Sequence, residues 1–194
     1  TGYKGELVKE YLHLAYPDKI IQFVDILLYE GEGSGLGLTI RECKDYLQEP
    51  FVFCSCDTLV NEPIPAPDHN WIAFDHRDNL GQYRTITIDE NMQVDSINEK
   101  GIGAPETSEP YIGLSGVYNY NDFWDTMIKG GENAVTQGES YGLRSLLEKG
   151  IVAHKFTWFD TGVKVELEAT RKRFTNSDTP NILEKANEAI WFLD

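Results

Sequence analysis

The sequence is short of cysteine, of basic residues and of long apolar runs, and each shortage removes a class of protein. Cys43, Cys54 and Cys56 cannot all pair with one another and form no CxxC, which argues against a disulfide scaffold and for reduced thiols in a cytoplasmic protein. Seventeen Lys and Arg stand against 32 Asp and Glu, a formal charge of -15. Nucleic-acid backbones and anionic membranes are repelled at long range by such a chain and are set aside as partners. No stretch approaches the length of a membrane span, and no charged-then-apolar leader precedes a small-residue cleavage site. His13, His69, His76 and His154 have no transition-metal ligand spacing and read as surface or core residues. Neither GxGxxG nor GxxxxGK[ST] occurs, so dinucleotide and P-loop readings fail on spacing.

What is present is ordinary for a folded, soluble domain: 194 residues, 41% apolar and 25% charged. TGYKGELVKEYL places Leu7, Tyr11 and Leu12 at helical spacing, IIQFVDILLY alternates toward a strand, and EGEGSGLG is a glycine cluster. LGLTIRECKDYL fits a helix and FVFCSC a strand, so the first third points to an α/β domain with a partly parallel sheet. NWIAFDHR is a strand candidate, TITIDENMQVDSINEK a hairpin around DEN, GIGAPETSEP a loop and YIGLSGVYNYN a further strand. NDFWDTMIKG and ESYGLRSLLEKG read as helices, the second closed by Gly150. IVAHKFTWFDTG reads as one strand, and VKVELEATRKRF as a helix whose basic last turn suits its dipole. The tail predicts a turn, a helix and a strand-like IWFLD that opens a following domain. Cys54 and Cys56 share one face of their strand and are expected in the core.

Two features carry chemistry. FVFCSCD and HKFTWFD are apolar runs that both end on aspartate followed by threonine, Asp57 with Thr58 and Asp160 with Thr161. In open α/β sheets ligands gather at the carboxyl ends of strands. Two carboxylates there could hold one Mg²⁺, a cation that prefers oxygen and is commonly bound by one or two carboxylates plus substrate phosphates. The competing reading makes each aspartate the cap of a helix that follows. Second, EGEGSGLGLTI sets Gly31, Gly33, Gly35 and Gly37 on alternate positions before a helix, where a bare backbone can approach a planar or phosphorylated ligand. In INEKG, Glu99 and Lys100 could take a sugar hydroxyl and a phosphate, or be solvated surface charge. Tyr111, Tyr118, Trp124 and Trp158 could wall a quaternary-ammonium cage, although core packing suits their spacing better. Asp75 and His76 are candidates for an acceptor pocket.

The order of these segments resembles the sugar-phosphate nucleotidylyltransferases, which make nucleoside diphosphate sugars. The matching stretches are GYKGELVKEYL, EGEGSGLGLTI, VFCSCDTLV, INEKG, YIGLSGVYNY and FTWFDTGVKVELEA, covering residues 1–174. The resemblance implies a Rossmann-like nucleotidyltransferase fold with a mixed, mostly parallel sheet flanked by helices. It implies Mg²⁺ as cofactor on the catalytic pair Asp57 and Asp160, with catalytic Lys100 on the sugar's phosphate and Glu99 and Gly113 on the sugar. Gly33, Ser34, Gly35, Leu36 and Gly37 would face the nucleobase. The implied partners are a nucleoside triphosphate and a sugar phosphate, in a cytoplasmic pathway of surface-polysaccharide synthesis; a cytidylyltransferase for a non-sugar phosphate such as phosphocholine, and a noncatalytic module of the same fold, are the alternatives. The family's GD is CD here and its EKP is EKG. Its signature loop GxGTRhxPhTxxxPK, which would precede Thr1, is not in the sequence. The first strand is accordingly expected to be missing, with 1–174 an N-terminally incomplete domain inactive by itself and 175–194 a linker into a second domain. A homo-oligomer and a fused C-terminal domain are both compatible with the chain.

Overall fold

The computed structural model describes residues 1–101, 105, 107–162 and 164–175. The elements expected in 176–194 lie outside them. Among the described residues, no helix is long and apolar enough to cross a membrane. The chain divides into two compact units, Thr1–Gln48 with Asn121–Ser145, and Glu49–Tyr120 with Leu146–Asp194.

The first unit is helical: α1 (Gly5–Ala15), α2 (Leu36–Glu42), α3 (Tyr120–Lys129), α4 (Gly131–Gln137) and α5 (Glu139–Arg144). Helix α3 buries Phe123, Trp124 and Met127 at helical spacing, and the Trp124 indole N–H donates to the Leu47 carbonyl at 2.7 Å. Helix α2 packs on α4 closely enough that a Cβ on Gly37 would stand 1.8 Å from the Ala134 carbonyl oxygen, and one on Gly35 2.6 Å from that of Val135. The strand expected over IIQFVDILLY does not form. Its backbone pairs with no strand there and meets Thr1 instead, whose nitrogen donates to the Val24 carbonyl while the Ile26 N–H donates to the Thr1 carbonyl at 2.7 Å. Alternation prepares a strand, but without a neighbouring ladder an extended segment is not one. Ile20 and Leu27 are left 90% and 95% exposed.

The second unit carries β1 (Phe51–Cys54), β2 (Thr58–Val60), β3 (Trp71–Phe74), β4 (Thr85–Ile88), β5 (Val94–Asn98), β6 (Ser108–Val117), β7 (Val152–Lys155), β8 (Trp158–Asp160) and α6 (Lys164–Thr175). The main sheet runs β5-β4-β6-β3-β7, with β1 on the remaining part of β6; β2 and β8 form a small sheet of their own. The sheet is mixed, as expected, but the parallel majority is not found. Among the described residues only β3 and β7 pair in parallel; the β1–β6, β3–β6, β4–β5, β4–β6 and β2–β8 pairs are antiparallel. The DEN hairpin and the long strand β6 account for that balance, since hairpin neighbours are antiparallel by construction. Central β3 is buried at all four positions, and Trp71 heads a core that includes Ala73, Leu114, Phe156 and Trp158.

Three readings of element extent are corrected, two of strands and one of a helix. FVFCSCDTLV is two strands, β1 and β2, hinged by a turn at Cys56 and Asp57. Cys54 and Cys56 are consequently exposed rather than in the core. IVAHKFTWFDTG likewise breaks, because Thr157 gives its N–H at 2.9 Å and its hydroxyl at 2.7 Å to the Glu62 carboxylate instead of continuing a ladder. The stretch ESYGLRSLLEKG also divides, into α5 and a 3-10 turn over Leu147–Lys149 that Gly150 closes at φ 85.

Candidate active site

Both aspartates sit where the small sheet begins and ends. Thr58 is the register partner of Asp160, and beyond it the Thr161 N–H and hydroxyl donate to the Asp57 carbonyl at 3.3 and 2.8 Å. The two Asp-Thr pairs are thereby locked side by side. Beneath them, the turn is seated on β6: the Ser55 N–H donates to the Gly113 carbonyl at 2.8 Å, and the Thr58 hydroxyl to that of Ile112. Gly113 has φ 75, and a Cβ there would lie 2.5 Å from the Ser55 hydroxyl oxygen. Only glycine combines that conformation with so close an approach.

The carboxylates converge. A Cβ built on Gly162 would stand 2.9 Å from Asp57 Oδ2 and 3.3 Å from Asp160 Oδ1, so one small volume is walled by both and kept open by the missing side chain. The Gly162 N–H donates to Asp160 Oδ1 at 2.8 Å, and the Tyr83 hydroxyl approaches Oδ2 at 3.4 Å. Burial, then the Asp160 charge, push the Tyr83 hydroxyl above its usual pKa and keep it a donor. Among the described residues, neither carboxylate has an ion-pair partner. Asp57 is followed by β2, so it caps no helix. Two oxygen ligands with no cation of their own, around an open volume, suit a hard divalent ion.

Behind Asp160 lies a support that sequence reasoning missed. The Arg77 guanidinium stacks on the Trp158 ring at 4.9 Å, donates to the Trp158 carbonyl at 2.8 Å and pairs with Asp75 at 2.6 Å. Asp75 also accepts the Trp158 N–H at 3.2 Å. Asp75 is therefore occupied in holding β8, and His76 turns to Glu109 at 3.2 Å. Tyr111, Trp124 and Trp158 are buried and Tyr118 is exposed, as packing rather than a cage requires.

The remaining candidates divide. Glu99 follows β5 and is held by Arg84 at 2.9 Å, a partner the sequence did not suggest; Lys100 is exposed in the turn beyond. Gly33 to Gly37 belong to the first unit, where Gly33 and Leu36 are exposed, Ser34 turns back to the Gly31 carbonyl at 2.7 Å, and Gly35 and Gly37 pack on α4.

This arrangement of strands is shared with solved structures. A Bacillus anthracis protein described as a glucose-1-phosphate thymidylyltransferase aligns over 94% of this chain and 76% of its own, at TM-score 0.70 and 14% identity. The architecture is that of the nucleotidyltransferases. A UDP-glucose pyrophosphorylase complexed with UDP-glucose aligns over 90% of this chain and 74% of its own, at TM-score 0.64 and 15% identity. The CTP:phosphocholine cytidylyltransferase of Streptococcus pneumoniae covers 87% and 74%, again at 0.64, with 9% identity. No protein-family model and no curated protein matches the chain. At such identities the likeness establishes the nucleotidyltransferase fold, and the chemistry rests on the residues.

Proposed function

We infer that the protein transfers a nucleoside monophosphate from a nucleoside triphosphate to a sugar 1-phosphate, releasing pyrophosphate and making a nucleotide sugar. The observation that carries this is the convergence of Asp57 and Asp160 on the open volume over Gly162, within a nucleotidyltransferase fold. A phosphate oxygen of the acceptor attacks the α-phosphorus in line, one P–O bond forms, and the bond to the departing pyrophosphate breaks. The acceptor phosphate is already ionised near neutral pH, so positioning and charge neutralisation supply the catalysis and no strong base is called for. Asp57 and Asp160 would hold Mg²⁺, which when bound opposes the negative charge gathering on the phosphates. Lys100 would add a second positive charge, and Glu99, fixed by Arg84, would accept a sugar hydroxyl. Gly113 serves the same pocket from below, by seating the turn that bears Asp57. Gly33 and Leu36, the exposed members of the glycine stretch, would meet the nucleobase. A cytoplasmic setting and a surface-polysaccharide pathway follow from this reading.

A non-sugar acceptor such as phosphocholine is the second reading, supported by the cytidylyltransferase of like fold. Against it, the Trp158 face that a quaternary ammonium would need already carries Arg77. Pyrophosphate release from the full-length protein, with four nucleoside triphosphates against a panel of sugar and alcohol phosphates, separates the two. Silence across the panel, from folded protein that binds no nucleotide, would favour a noncatalytic module.

Gly162→Ala tests the volume itself. The added methyl fills it without a left-handed backbone to strain, so Mg²⁺-dependent release is expected to fall about tenfold with the melting temperature unchanged. Full activity in this variant would move the cation site elsewhere.

A further inference from the structure

His69 and His154 are 85 residues apart in sequence, yet their Nε2 atoms face each other at 3.4 Å with the rings tilted by 57°. His69 lies two residues before β3 and His154 within β7, so the parallel pairing of those strands brings them together. Sequence spacing gave no sign of this pairing, because it depends on which strands lie side by side. Asp68 Oδ1 stands 2.6 Å from His69 Nδ1, an acceptor that favours a proton on that nitrogen and turns Nε2 toward His154. A single proton shared between the two Nε2 atoms would draw them to about 3.0 Å, so the separation is long for a hydrogen bond. It matches another geometry. Two imidazole nitrogens on a tetrahedral Zn²⁺, each about 2.05 Å from the metal, are about 3.3 Å apart, whereas a right-angled square or octahedral pair stands at about 2.9 Å.

We propose that His69 and His154 form a two-histidine site for a tetrahedral transition-metal ion of the Zn²⁺ class, with Asp68 as the residue that positions His69. Two solvent molecules complete the coordination, since no third His, Cys, Asp or Glu joins the cluster among the described residues. The His69 side chain is 44% exposed and lines an open cavity of about 330 Å³ with Asp68, Asn70, Gln93 and Lys149 among its walls, so solvent reaches the ring. Bound metal ties the loop ahead of β3 to β7 and stabilises the fold by mass action.

Zinc chloride titrated into the full-length protein, followed by competition with a chromophoric chelator and by melting temperature, tests the site. One Zn²⁺ is expected per chain at this pair, with a rise in melting temperature. His69→Gln and His154→Gln should each weaken that binding at least tenfold and abolish the rise, and Asp68→Asn should weaken it about tenfold. His69 and Asp68 are surface residues, so those variants decide the matter even if His154→Gln folds poorly. The Asp57→Asn, Asp160→Asn double variant should keep the binding, which separates this site from the proposed Mg²⁺ site. Zinc affinity unchanged in His69→Gln, no affinity in the parent, or affinity lost instead in Cys54→Ser, Cys56→Ser would each overturn the proposal.

Discussion

Asp160→Asn and Asp57→Asn are each expected to lower pyrophosphate release about a thousandfold while leaving the protein as stable as the parent. The size follows from what a carboxylate would do for a phosphate-bound cation, an electrostatic contribution of several kcal/mol at about 1.4 kcal/mol per tenfold in rate. The lack of a stability loss follows from the geometry. Asparagine keeps an oxygen for the Gly162 N–H, and among the described residues Asp57 makes no side-chain hydrogen bond that the change would break. Neutralising either acid also relieves the closeness of two like charges over Gly162. A Mg²⁺-dependent rise in melting temperature, present in the parent, should vanish in both variants. Equal losses of stability and activity would instead make the aspartates structural, and the cation reading would fall.

Gly37→Ala is expected to destabilise the protein by about 3 kcal/mol, because the new methyl would stand 1.8 Å from a backbone carbonyl that cannot rotate away. Helix α2 must then lift from α4, and the midpoint of a urea melt should move down accordingly. Leu36→Ala is the contrast, since Leu36 is 42% exposed and its truncation should change stability by less than about 0.5 kcal/mol. If the exposed part of this stretch meets the nucleobase, Leu36→Ala weakens nucleotide binding without touching the melt. A Gly37→Ala protein of parental stability but poor nucleotide affinity would refute the packing account and return Gly37 to the ligand.

The glycine stretch illustrates how far local pattern reaches. Alternate glycines before a helix are visible in the sequence, yet ligand approach and helix packing use glycine for the same reason, the missing Cβ. Only the position of the Ala134 carbonyl separates them, and that residue lies on another helix. IIQFVDILLY shows the same limit for a strand: its alternation is plain, but a ladder depends on a neighbour.

The sequence by itself determined most of the helices and strands in their order, the DEN hairpin, and Asp57 and Asp160 as the two carboxylates worth following. Those readings depend on periods of two and 3.6 residues, on caps and on turn residues, all of which act within a few positions. Tertiary structure alone decided that the sheet is mostly antiparallel, that Asp57 and Thr161, 104 residues apart, are bonded through one carbonyl, and that Arg84 holds Glu99. It also decided that His69 meets His154. Each of these is a contact between segments whose separation in sequence carries no periodicity, so it exists only once the strands have chosen their partners.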